Sequence, residues 1–140
     1  MLAIRRMRPD ELDACADLYD RVVRATFTWF PDLGEQRAKF RQETAEEEVY
    51  VALSGDRLLG LAAFYRPDNF LHSLYVDHAA HGHGVGSALM AHIEAVADGP
   101  IAFKVQTRNT SARRFYARKG FKVVEEGRDS DLSQWVRMRR

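Results

Sequence analysis

A glycine-rich turn, His81-Gly82-His83-Gly84-Val85-Gly86-Ser87, leaves a β-rich run and opens a helix with one apolar face. Glycines let the backbone adopt positive φ and bring its N–H groups close to a ligand. The helix behind adds unpaired N–H groups and the positive end of its dipole. A junction of this kind suits an anion, above all a pyrophosphate, although on its own it also serves as a plain strand-to-helix connection.

Two other phosphate-binding designs fit poorly. A P-loop needs Gly-Lys-Ser/Thr after its spacer, and no Lys stands in this turn, which argues against nucleoside triphosphate hydrolysis. A dinucleotide fingerprint opens the first βαβ unit and is followed by an acidic residue near the end of the next strand. Here the turn follows three antiparallel-looking strands, and the next strand ends Val105-Gln106-Thr107-Arg108.

The rest of the chain supplies the frame. Leu2 to Met7 reads as a strand, and Pro9 and Asp10 start a helix whose apolar face is Leu12, Cys15, Ala16, Tyr19, Val22 and Val23. An aromatic loop, Phe27-Thr28-Trp29-Phe30, precedes a more polar helix over about 34–44. Glu48 to Leu53 and Arg57 to Arg66 form a hairpin across Ser54-Gly55-Asp56, and Phe70 to Val76 adds a third strand. After the glycine turn, Val85, Leu89, Ile93 and Val96 mark a helix, Ile101 to Gln106 a strand, and Asn109 or Thr110 the cap of a last helix ending at Gly120. Phe121 to Glu125 and Gln134 to Arg139 close the set as strands around a polar turn. The order β-α-α-β-β-β-α-β-α-β-β predicts an α/β fold with a mixed, mostly antiparallel sheet and about four helices.

At 140 residues, with 46% hydrophobic and 29% charged, the chain is one domain, 1–140, neither disordered nor hinged. Lys+Arg 21 against Asp+Glu 20 leaves no overall basic field for nucleic acid or anionic lipid. No apolar run reaches the ~18 residues of a membrane span, and Met1 to Arg6 lacks a secretory core, so a cytoplasmic protein without nucleic-acid or membrane partners is expected. Cys15 has no partner for a disulfide, and its place on an apolar helix face reads as a buried thiol.

A second constellation follows one helix and one strand later: Asn109, Ala112, Phe115, Tyr116, Gly120 and Phe121. Alone it reads as core packing, with Phe115 buried and Tyr116 half exposed. Paired with Leu74-Tyr75-Val76 and the turn His81-Gly82-His83-Gly84-Val85-Gly86, it resembles the GNAT acetyltransferase superfamily, most strongly over 48–125. His81 stands where that family has Gln or Arg.

The resemblance implies transfer of an acetyl group from acetyl-CoA to an amine in a ternary complex. It implies that the strands ending at Val76 and Gln106 splay apart, and that Leu74, Tyr75 and Val76 pair with the pantetheine arm, the Val76 N–H meeting the thioester oxygen. The turn from His81 through Gly82, His83, Gly84, Val85, Gly86 and Ser87 holds the pyrophosphate. Asn109, Ala112 and Phe115 complete the cofactor site, and Tyr116 protonates the departing thiolate. Homodimers are common in the family.

The general base stays open at this level. His72 has a suitable intrinsic pKa, but period-2 alternation places it with Phe70, Leu74 and Val76 on a face that is equally readable as core. Glu47, Glu48 or a water chain are the alternatives. His78, His81, His83 and Asp77 lie close in sequence but lack the spacing that aims imidazoles at one ion, so no metal is expected. Phe27 and Trp29 are candidate walls of an acceptor pocket, equally readable as a loop pinned to the core. The acceptor expected first is a small-molecule primary amine. A protein N-terminus or lysine, or a non-catalytic acyl-CoA sensor, are the alternatives.

Overall fold

Seven strands form one mixed sheet in the order β1-β2-β3-β4-β5-β7-β6 in the computed structural model, which describes residues 1–130 and 133–140. The elements are β1 Leu2–Arg6, α1 Leu12–Thr26, α2 Gln36–Glu43, β2 Glu48–Ser54, β3 Arg57–Tyr65, β4 Phe70–Val76, α3 Val85–Val96, β5 Ala102–Gln106, α4 Thr110–Arg118, β6 Lys122–Arg128 and β7 Gln134–Arg139. This is the expected order, and every neighbouring pair of strands is antiparallel except β4 with β5. Part of the polar turn expected between β6 and β7 lies outside the described residues. Among the described residues no helix is long and apolar enough to cross a membrane.

The middle strands are apolar on both faces because helices cover both. Val49, Val51, Leu53, Leu61 and Ala63 pack with the α1 residues Cys15, Leu18, Tyr19, Val22 and Val23 and with Phe40 of α2. Tyr50, Ala52, Ala62 and Phe64 alternate to the other face, against Val85, Leu89, Met90 and Ile93 of α3. Helix α3 sits close because Gly60 lacks a side chain: a Cβ there would stand 2.9 Å from the Tyr75 carbonyl oxygen and 3.2 Å from Leu89 and Val85. Cys15 is fully buried, and burial pushes its thiol up to about 12, so it is held as an unreactive thiol.

Arg66 ties the sheet to the end of α3. Its guanidinium donates to Glu48 at 2.6 and 2.9 Å and to the Val96 carbonyl at 2.9 Å. The Arg66 bond, the Tyr50 hydroxyl at 2.7 Å and nearby Arg6 hold the Glu48 carboxyl down at about 2. Its folded pKa is depressed, so its contribution is present above the unfolded value near 4.5 and lost as pH falls toward about 2. Glu48→Gln is therefore expected to cost about 1–2 kcal/mol at pH 7, with the gap closing below pH 4. Urea denaturation of both proteins across pH 3–7 measures this, and a constant gap would show that the ionised carboxylate contributes nothing.

Strands β4 and β5 meet at one register pair, Phe70 with Ala102, where the Ala102 N–H also donates to the Asn69 carbonyl at 3.1 Å. Beyond that pair they separate. A bulge contributes: Ala63 pairs with Ser73 and Phe64 with Leu71, so His72 has no partner on β3. A bulge bends the strand that carries it and shifts its alternation by one. This corrects the placing of His72. Leu71, not His72, joins the α3-side core with Leu74 and Val76, and His72 is turned to the α2 side.

Candidate active site

The gap between β4 and β5 opens two adjoining cavities, and α1 borders both. One is a groove of about 930 Å³ running from the glycine turn along β4 to α4. The other, about 420 Å³, lies between α1, α2, β5 and β7. They share four lining residues: Leu74, Tyr75, Asn109 and Tyr116. A molecule in one can therefore reach a molecule in the other across a junction made of β4 and the start of α4.

The larger groove is shaped for phosphate. Gly82 and Gly84 have φ of +83° and +78°, and a Cβ on either would meet nothing within 4 Å, so the turn faces open space. Helix α3 begins at Val85, and its first backbone bond is donated by Ala88 to the Gly84 carbonyl. The N–H groups of Val85, Gly86 and Ser87 thus have no partner within the helix. Gly86 has a different reason: a Cβ would lie 3.3 Å from the Phe115 ring. Arg108, Arg118 and Lys119 also line the groove, with no carboxylate among its described lining residues. These groups fit a pyrophosphate-bearing ligand.

His81 lines the groove with its Nε2 3.0 Å from the Val76 carbonyl oxygen, and its ring stacks on His78 at 4.6 Å. His83 is exposed and stands between two glycines of positive φ. Among the described residues no three His, Cys, Asp or Glu side chains gather as metal ligands.

Leu74 and Val76 offer backbone groups. Asp77 N–H donates to the Leu59 carbonyl at 2.8 Å, so the antiparallel alternation turns the N–H and C=O of Val76 and Leu74 away from β3 and into the gap. Asn109 caps α4, its Oδ1 accepting from Ala112 N–H at 3.3 Å, which leaves its Nδ2 hydrogens to reach a ligand. Ala112 and Phe115 line the groove beside it.

The burial expected for Phe115 and Tyr116 is reversed. Tyr116 is the buried one, 8% exposed, with its ring 4.1 Å from Phe103 and 5.3 Å from Phe115. Helix α4 points it inward because Phe103 on β5 and Phe121 after the helix form its seat. Burial drives its phenol well above the ordinary value, with a smaller push from Tyr75, so it is a neutral O–H at the junction. Tyr75, against Tyr19 at 5.3 Å, is likewise pushed up to about 12 by burial.

The aromatic loop is divided between the cavities. Phe27 and Phe30 line the smaller one, whereas Trp29 lies along the larger groove with Arg108 5.4 Å above its ring. Trp29 thus borders the larger groove and Phe27 the smaller cavity.

Glu47 is one of the alternative bases. It stands in the run Glu46-Glu47-Glu48, which reads as a solvated helix end, yet its side chain is 7% exposed. It accepts from His72 Nδ1 at 3.0 Å, with Glu43 3.8 Å from Nε2. The Glu47 carboxylate, acting first through that bond, raises the His72 pKa against the opposing effect of burial. The His72 ring lines the smaller cavity.

Comparison with known proteins agrees with this geometry. Residues 16–140 match the acetyltransferase (GNAT) domain family. The chain is 27% identical over 139 residues to the peptidyl-lysine N-acetyltransferase YjaB of Salmonella typhimurium strain LT2, covering 96% of this chain and 92% of that protein. The solution structure of apo YjaB from Escherichia coli superposes with a TM-score of 0.81 at 24% identity, covering 99% and 97% of the two chains. The PaiA N-acetyltransferase of Thermoplasma acidophilum, solved in complex with coenzyme A, superposes with a TM-score of 0.79 at 15% identity, covering 100% and 99%.

Proposed function

The chain belongs to the GNAT acetyltransferase family, and from that premise we propose that it transfers the acetyl group of acetyl-CoA to the primary amine of a small molecule. The observation that carries this reading is the junction: a phosphate-suited groove and a smaller, aromatic-walled cavity share Leu74, Tyr75, Asn109 and Tyr116. Bound acetyl-CoA supplies an activated acyl thioester, and the chain's residues position and polarise it. The amides of Gly82, Gly84, Val85, Gly86 and Ser87 hold the pyrophosphate, helped by the groove's cations. Asn109 and the free backbone of Leu74 hold the arm, and the Val76 N–H donates to the thioester oxygen. Tyr116 gives its proton to the leaving sulfur.

His72 takes the proton of the attacking amine. Its raised pKa means that it carries a proton at low pH and accepts one only above that value. Acceptor-dependent CoA release, followed with a panel of primary amines, is the direct test. kcat/KM is expected to rise with pH through the His72 ionisation, and His72→Gln to flatten that limb and lower the plateau about tenfold. CoA binding without release in the presence of any amine would leave an acyl-CoA sensor in place of a transferase.

A second reading, acetylation of a lysine in a protein, is favoured by one observation: the relative YjaB carries the name peptidyl-lysine N-acetyltransferase. Lysine-containing peptides in the same panel separate the two.

A further inference from the structure

Lys104 breaks a rule of sheet design. It stands on β5 directly opposite Arg137 on β7, and like charges in that relation destabilise the pair. Arg137 is balanced by Glu125 at 3.2 Å. Lys104 has no carboxylate within 4 Å among the described residues. Its Nζ instead lies 4.2 Å from the centre of the Trp135 ring, and both residues line the smaller cavity. The Trp135 ring itself is seated on Gly127, where any side chain would collide with it, and its Nε1 is buried without a partner among the described residues.

Charged groups of both signs line this cavity: Glu43, Lys39 and His72 on the α2 and β4 side, Asp32 and Asp129 at its loops, and Lys104 on β5, backed by an aromatic face and without an ion-pair partner among the described residues. An aromatic platform fixes a cation and shields one side of it from water, leaving the other side for an anion.

We propose that Lys104, seated on Trp135, docks a carboxylate carried by the acceptor, so that the acceptor is an amine of the amino-acid class rather than a simple alkylamine. This rests on the transferase reading above for the identity of the ligand as acceptor. The carboxylate has two sources, a free amino acid or an acidic side chain beside a peptide lysine.

Matched pairs of acceptors test it: phenylalanine with phenethylamine, lysine with 1,5-diaminopentane, and N-acetylated peptides with Lys beside Asp or beside Asn. In the wild-type protein the carboxylated member is expected to be favoured in kcat/KM by about tenfold or more. Lys104→Met is expected to reduce that preference to within about threefold while leaving the uncharged member nearly unchanged, and Lys104→Arg to retain it. A preference among the free amines assigns the source as a free amino acid; a preference confined to the Asp peptide assigns the acidic side chain. Equal loss for both members in Lys104→Met, or an intact preference, overturns the proposal.

The indole ¹H–¹⁵N signal of Trp135 gives a second readout that needs no turnover. A shift on adding the carboxylated amine, absent with its partner and absent in Lys104→Met, supports the anion site even if no CoA is released, in which case the transferase reading alone fails. No shift with any carboxylated amine, together with no kinetic preference, overturns the site while leaving CoA release as evidence for transfer.

Discussion

Tyr116→Phe is expected to lower kcat by about 10–100-fold while acetyl-CoA binds with a Kd within about twofold of the wild type. The ring is part of the structure and the hydroxyl is not: phenylalanine keeps the contacts with Phe103, Phe115 and Phe121 that seat the side chain. What disappears is one O–H at the place where the two cavities meet. A phenol is a weaker acid than a thiol of pKa near ~8.5, and burial weakens it further, so acid strength does not drive the transfer. Proximity does, because the phenol is in place before the thiolate forms. Steady-state kinetics at saturating acetyl-CoA, paired with calorimetry, separates the two quantities. An unchanged kcat would remove Tyr116 from the chemistry.

Gly84→Val is expected to weaken acetyl-CoA binding by about 30-fold or more, corresponding to about 2 kcal/mol. Valine is strained at φ +78°, and relief rotates the peptide that presents the Val85 N–H to the ligand. Nothing lies within 4 Å of the new Cβ, so the protein itself is not overpacked; the side chain fills space that the phosphates require. Gly34→Val is the matched control. It has φ +71° and the same open surroundings but does not line the groove, so it carries comparable strain without the binding loss. Calorimetry on both variants decides: equal affinities for the two would mean that the turn does not hold the cofactor.

Most of the fold was readable because its signals are local. The hairpin at Gly55-Asp56, the strand Phe70–Val76, the glycine turn and the periodic apolar residues of α3 each announce themselves within ten residues, and each lies where expected. What could not be read depends on register between distant segments. His72 seemed to share a face with Leu74 because alternation was counted along one strand; the bulge against Ala63 and Phe64 belongs to two. Glu47 looked solvated because its partner is 25 residues away. The exchange of burial between Phe115 and Tyr116 has the same origin. Both fit a helix face, and only the positions of Phe103, Phe121 and Gly86 determine which one enters the core. Phe27 and Trp29 read as one wall, yet they border different cavities, Trp29 beside Arg108 from a distant segment.

The sheet is two leaves, β1 to β4 and β5 to β7, stapled at their base by Phe70 and Ala102. Asn69 is the fulcrum. Held at φ +47°, it grips Ala102 N–H with its carbonyl and Asp98 N–H with its side chain at 3.1 Å each. A substitution at Asn69 is therefore expected to change the gape of the wedge without altering any side chain that lines it.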